Sequence, residues 1–385
     1  MPASTEPTTP ALPAGPIDLA VVGAGIVGLA HAVDAVERGM RVAVLERDTR
    51  AVGASVRNFG HICATPQTGV ALDYAWAARE KWLRLGELAG FEVVRAGTLV
   101  VARSAAEQAV LEEFAAQRGR DQVRLLTRDE VGRMFPAATH ANSEITGGAH
   151  LPLDLRVDPR AAVPALAAWL ATRGVTFTWH TQVGSLSEGA VHTPRGDLAA
   201  TAIVHATGHD VDRLFPALAA EHGVRRCRLH MLEVAPPGDV RIDPAVLTGH
   251  SMLRYGGLAA TPAAAEVRAE ITERAPETLE VVMNLMLTQR PDGSIVLGDT
   301  HHYERTHAPF DEEWVSELVL REGARLFATD RLTVRRRWRG IYADSPTTDF
   351  LVATPAPGIR VVSVTSGIGM TTALGLAPTV LDGLV

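Results

Sequence analysis

Six residues near the amino terminus, Gly23-Ala24-Gly25-Ile26-Val27-Gly28, restrict the possible folds more than any other part of the sequence. They follow a short apolar run, Leu19-Ala20-Val21-Val22, and open a segment with apolar residues at Ile26, Leu29, Ala30 and Val33. That i, i+3, i+4, i+7 spacing predicts a helix with one buried face. Gly39 stops it. The next run, Val42-Ala43-Val44-Leu45, is unbroken and rich in β-branched residues, as a parallel strand buried on both faces requires. Strand, glycine turn, helix and strand together make a βαβ unit and commit the chain to the α/β class. In that unit Gly23 permits the tight turn, Gly25 lets backbone amides approach a pyrophosphate, and Gly28 lets the helix pack on the sheet. Glu46, at the end of the second strand, is placed to accept hydrogen bonds from ribose hydroxyls, with Arg47 directly after it. Dinucleotide binding is the reading that uses every part.

The 385 residues give room for two or three domains. The chain is 46% hydrophobic and 21% charged, as in an ordinary globular protein, and no apolar run is long enough to span a bilayer. A net charge of −7 argues against nucleic acid as a partner. Two cysteines, Cys63 and Cys227, make neither a disulfide framework nor a zinc site, so a reducing, cytoplasmic setting is expected. Residues 1–16 carry five prolines and no Lys or Arg, which predicts a disordered tail rather than a secretion signal. Helices are predicted over 74–89, 105–117, 160–173 and 310–327, with strands over 99–101, 175–178, 202–206 and 360–364. Alternating stretches at 281–287 and 294–297 predict a second sheet of mixed or antiparallel kind.

Which dinucleotide binds is decided further along the chain. Ala206-Thr207-Gly208 brings a second small-residue turn after a strand, and Ser366-Gly367-Ile368-Gly369-Met370-Thr371 brings another near the carboxyl terminus, where a helix start would favour negative charge on a flavin ring. A cofactor touched from both ends of the chain is long, which favours FAD.

At these residues the sequence resembles the FAD-dependent oxidoreductases of the D-amino-acid oxidase, glycine oxidase and sarcosine oxidase superfamily, over residues 17 to 385. Three stretches, Gly53-Ala54-Ser55-Val56-Arg57-Asn58-Phe59-Gly60-His61, Arg226-Cys227-Arg228-Leu229-His230-Met231 and Arg337-Trp338-Arg339-Gly340-Ile341-Tyr342, resemble a subfamily linked to aminophosphonate breakdown. The resemblance implies a discontinuous Rossmann-type FAD-binding domain (17–90, 155–222 and 336–385) and a substrate domain (91–154 and 223–335) whose sheet covers the flavin. It implies that Ser55, Val56, Arg57, Asn58, Phe59 and Gly60 run along the flavin. Val183 would meet adenine through its backbone, and Gly340 with Gly367 to Thr371 would meet the ring. Relatives with a covalent flavin use a His in the first loop or a Cys near the late Trp-x-Gly segment. Asn58 and Tyr342 stand there, so noncovalent FAD is expected.

Amino-acid oxidases of the superfamily hold the substrate carboxylate with an Arg just after a segment like Trp338-Arg339-Gly340-Ile341, and this chain has Tyr342 in that slot. A phosphonate, with three acceptor oxygens, calls for more than one charge-assisted donor. The candidates are Arg254, Tyr255, His301, His302, Arg337 and Arg339, with His61 and Tyr342 at the reacting centre. His301, His302 and the nearby His307 match no metal spacing, so no metal is expected. The expected reaction is oxidative deamination of a small amine such as a 2-aminoethylphosphonate derivative, with oxygen or an electron carrier as acceptor, because no second GxGxxG offers a seat for a pyridine nucleotide. The alternatives are an oxidase of glycine, sarcosine or D-amino acids, a flavin hydroxylase, and a non-catalytic FAD-binding protein.

Overall fold

The computed structural model describes residues 12, 13, 15 and 17–384, so the expected tail lies almost wholly outside the described residues. Strand β1 (Ile17–Val22), helix α1 (Ile26–Glu37) and strand β2 (Val42–Leu45) form where the apolar pattern places them. β1 lies between β2 and the strand Gly196–His205 and is parallel to both. Thr176–Thr178 continues the sheet beyond β2, and Ile359–Val364 continues it beyond Gly196–His205, again in parallel. Antiparallel pairs extend the sheet on the Gly196–His205 side, through Ala190–Thr193 and Phe350–Ala356, while Thr176–Thr178 is the edge on the other side. On one face α1 packs with α2 (Gly69–Ala89), Pro159–Thr172 and Gly369–Asp382 in a continuous apolar core that includes Leu29, Trp82, Leu166 and Leu374.

A second, nine-stranded sheet is built around Arg225–Val234, which pairs with Ile295–Gly298, His302–Glu304 and Val334–Asp344, all antiparallel. Thr98–Ala102 and Ala245–Leu247 supply the one parallel contact. The mixed α/β architecture expected from the sequence is therefore present. The expected division at 335/336 falls inside Val334–Asp344, a strand that pairs with Arg225–Val234 along its length and belongs to the second sheet as a whole.

Element limits shift in three places. α2 begins at Gly69, five residues before the apolar spacing becomes regular. The helix predicted from 310 begins at Glu313, because Glu312 is still extended. Of the stretch 281–287 only Met286 and Leu287 are in a strand, Met286–Gln289. Val281 closes the short helix Pro276–Glu280, and Val282 has φ +47°. Among the described residues no helix is long and apolar enough to cross a membrane.

Candidate functional site

The carboxyl ends of β1, Gly196–His205 and Ile359–Val364 open toward the second sheet, the usual position for a ligand in an open α/β fold. A cavity of ≈ 490 Å³ lies there and takes lining residues from both sheets. At one end stands the glycine turn. Gly23 has φ +106°, and a Cβ there would lie 2.6 Å from the Ala206 carbonyl oxygen. A Cβ on Gly28 would sit 1.9 Å from the Gly23 oxygen, so only glycine lets the helix approach the turn. Glu46 Oε2 accepts from the Ala24 N–H at 2.9 Å and Oε1 from Asp48 N–H at 3.1 Å, which fixes the carboxylate beside the turn. Ser55 Oγ accepts from Ile26 N–H at 2.8 Å and ties the following loop to the start of α1. Arg47 pairs with Asp210 at 2.7 Å, and Val183 closes this end as a buried wall residue.

Asn58 organises the loop over the middle of the cavity: Nδ2 donates to Ala54 O at 2.9 Å and Oδ1 accepts from Gly60 N–H at 2.7 Å. Trp338 Nε1 donates to Arg57 O at 3.0 Å and joins this loop to the second sheet. Beyond it, Gly367 lies against Tyr342, and a Cβ there would be 3.0 Å from the phenol ring. Residues 367–371 line the cavity and lead into the helix Gly369–Asp382. Bare backbone at Gly23 and Gly25, an anchored acid at Glu46 and a second glycine loop at the far end fit an elongated dinucleotide. FAD would lie with its phosphates at Gly25 and the start of α1, its ribose at Glu46 and its ring beside residues 367–371.

The far end holds the polar groups. Arg254 Nη1 donates to the Tyr303 hydroxyl at 3.0 Å. Burial works against the Arg254 charge, but the surrounding Tyr342 and Tyr303 phenols and Asp299 outweigh it and hold its pKa above the usual value. His301 Nδ1 meets Val282 O at 2.8 Å, and burial, reinforced by Arg254, pushes the ring down to about 3, so it is neutral at neutral pH. His61 Nε2 meets the Thr288 hydroxyl, and burial with the Arg156 charge pushes that ring down to about 3 as well. Burial raises the Tyr255 and Tyr342 phenols well above their ordinary value.

Of the residues expected at the cofactor, Gly23, Gly25, Ile26, Val27, Glu46, Arg47, Ser55, Arg57, Asn58, Phe59, Val183, Ala206, Thr207, Gly208, Gly340 and 367–371 line the cavity. Ala24, Gly28, Val56 and Gly60 do not: Ala24 and Gly28 are buried in the turn, Gly60 presses on Val157 O, and Val56 packs into the helical core. Of the residues expected at the substrate, His61, Arg254, Tyr255, His301 and Tyr342 line it. Arg337, Arg339 and His302 are corrections. Along Val334–Asp344 the cavity is lined by residues 340–343, toward the carboxyl end of the strand. Arg337 and Arg339 lie before that stretch, outside the lining, and pair with Glu313 at 2.8 Å and Asp311 at 2.6 Å. His302 is exposed beside Glu304. The cavity also takes in Asn284, Met286 and Asp299, where the apolar pattern predicts only strands. The gap between Asn284 and Asp299 in sequence hid their meeting. No group of three or more His, Cys, Asp or Glu is placed to hold a metal among the described residues.

An α/β fold with an elongated cavity at the strand ends of its parallel sheet and a polar chamber at the far end fits a flavin-dependent oxidoreductase. The chain belongs to the DAO family of FAD dependent oxidoreductases, whose model matches residues 18–382. Glycine oxidase from Geobacillus kaustophilus is 29% identical over 212 residues, a match that spans 51% of this chain and 56% of the relative's length. The crystal structure of that organism's glycine oxidase superposes with a TM-score of 0.75 at 20% identity, covering 96% of this chain and 94% of the other. L-proline dehydrogenase from P. horikoshii gives 0.77 at 19%, covering 95% and 92%, and L-amino acid deaminase from Proteus vulgaris gives 0.75 at 17%, covering 98% and 92%.

Proposed function

We propose that this FAD-dependent enzyme oxidises a small amine that carries an acidic group, with the acid seated on Arg254. One observation carries the reading: the cavity that begins at the glycine turn ends at this single guanidinium out of the three arginines expected there, with His301 beside it kept neutral. One guanidinium balances the single charge of a carboxylate, so the donor class we favour is an amino acid or N-methyl amino acid, in line with the glycine oxidase likeness. The aminophosphonate reading stands second. It draws support from the phenols of Tyr255, Tyr303 and Tyr342 around Arg254, whose hydroxyls supply further donors for a three-oxygen acid.

In this reading the unit of 17–90, 155–222 and 345–385 holds FAD, and 91–154 with 223–344 covers the donor. FAD, when bound, supplies the two-electron acceptor for hydride leaving the carbon next to nitrogen, and the imine then hydrolyses. The chain's part is to orient and to exclude water. Arg254 fixes the acid, while His61 and Tyr342, both uncharged at neutral pH, wall the reacting carbon without moving a proton. FAD is held without a covalent bond, since Asn58 and Tyr342 offer neither imidazole nor thiol at those positions. Oxygen or an electron carrier takes the electrons onward.

The test is anaerobic mixing of the purified holoprotein with glycine, sarcosine, D-alanine, L-proline and 2-aminoethylphosphonate with its N-methyl derivative, followed at the oxidised-flavin band at about 450 nm. Bleaching by an amino acid is the expected result. Bleaching by the phosphonates alone moves the assignment to the second reading, and no bleaching by any amine overturns both. No NAD(P)H is consumed.

A further inference from the structure

Asn284 and Asp299 are joined by reciprocal backbone hydrogen bonds, Asn284 N–H to Asp299 O at 2.9 Å and Asp299 N–H to Asn284 O at 3.0 Å. The pairing brings two buried polar side chains to the same end of the cavity, 5% and 3% exposed. Asn284 Nδ2 faces the Met286 sulfur at 3.8 Å, which leaves Oδ1 as its free end. Neither Asn284 Oδ1 nor Asp299 Oδ1 has a hydrogen-bond partner among the described residues. His301 Nδ1 is engaged by the Val282 carbonyl and must carry the proton there, so Nε2, 3.9 Å from Asp299 Oδ2, is a third acceptor. Buried acceptors left without a hydrogen-bond partner are costly, and a ligand bearing several N–H groups on one atom satisfies them together.

We propose that Asn284 and Asp299 form the amine subsite: their Oδ1 atoms hold the N–H groups of the donor while Arg254 holds its acid, and Asp299 accepts one proton from the ammonium. The assignment rests on the amine reading above and sharpens it. An ammonium nitrogen has no lone pair with which to assist loss of hydride from the adjacent carbon. Transfer of its proton to the Asp299 carboxylate leaves a neutral amine and a carboxylic acid, with charge and atoms balanced. The groups facing Asp299 are Arg254 and Tyr255 from the turn at 253–255, Cys227 from Arg225–Val234 and His301 from its own loop. Burial, opposed by Arg254, pushes Asp299 up to about 7, where a carboxylate is suited to take a proton at neutral pH. The donor class narrows to primary and secondary amines, and the α-hydroxy acid of the same skeleton is excluded, since its single O–H cannot serve two acceptors.

The experiment compares the holoenzyme with Asp299→Asn, using the best amine of the panel. At pH 7 kcat/KM falls by about 100-fold or more and recovers as pH rises toward the amine's own pKa, because solution then supplies the neutral amine. The des-amino acid of the same skeleton, followed by its perturbation of the flavin spectrum, binds both proteins within about 2-fold. A loss that is the same at every pH, or no loss, overturns the assignment and leaves the amine reading standing. If no amine reduces the wild-type enzyme, the amine reading falls and takes this one with it. A measurement without a variant serves as well: N,N-dimethylation of the donor lowers reduction of the wild-type flavin by about 10-fold or more, and unchanged reduction overturns the assignment.

Discussion

Asp154 has no solvent exposure, and one of its oxygens, Oδ1, accepts both the backbone N–H and the hydroxyl of Thr65 at 2.8 Å while Oδ2 has no partner. Burial outweighs those hydrogen bonds and pushes the carboxyl from 3.8 up to about 6. A carboxyl whose folded pKa lies above its unfolded one binds more protons folded than unfolded between the two values, so stability falls as pH rises through that window. Asp154→Asn keeps the Oδ1 acceptor and removes the charge. It should stabilise the protein at pH 7 by about 1–3 kcal/mol and flatten the pH dependence between about 4 and 6, as read from denaturant midpoints. An unchanged pH dependence would contradict this account. Single residues of this kind were the least legible part of the sequence. Asp154 and Asp299 carry no local pattern, because their chemistry comes from segments far away in the chain. Arg337 and Arg339 carry a conspicuous pattern but lie outside the lining, since alternation along a strand fixes which residues share a face and not which stretch of it meets the cavity.

Elements were legible in proportion to the length and regularity of their apolar pattern. β1, α1 and β2 stand as the spacing placed them, whereas 281–283, equally apolar, became a helix end and a turn. Apolar content alone does not distinguish a strand from a buried connection. The strand Val334–Asp344 acts through one contact in particular. Trp338 donates to Arg57 O at 3.0 Å, and the Arg160 guanidinium lies 5.0 Å from its ring centre. Trp338→Phe keeps a ring on the strand and removes the donor that ties the 54–60 loop to the second sheet. The expected effect is a loss of about 1 kcal/mol in stability together with weaker FAD retention, measured as a raised Kd for FAD in the reconstituted protein. A Kd equal to wild type would mean that the loop is held without this bond.

At the scale of the whole molecule, the two large sheets meet around the space that the cofactor would fill, and the second sheet reaches the 54–60 loop through Trp338 and the turn at Gly367 through Tyr342. Removal of FAD should lower the apparent Tm by several degrees, and restoring it at a hundredfold excess over Kd adds about 2.7 kcal/mol. A melting curve indifferent to added FAD would overturn the placement of the cofactor between the sheets. The α/β class and the mixed second sheet were readable in advance because long periodic patterns specify them, while the boundary between units was misplaced inside a strand that the sequence does not mark. The wide separation of the two glycine loops has a further consequence. The first, at Gly23, leaves the ribosome long before the second, at Gly367. At about 5–20 residues per second the interval is roughly 20–70 s. With FAD seated as proposed, the nascent polypeptide would display half of a clamp through that time, and a stable grip on the cofactor would wait until synthesis has passed the final strand.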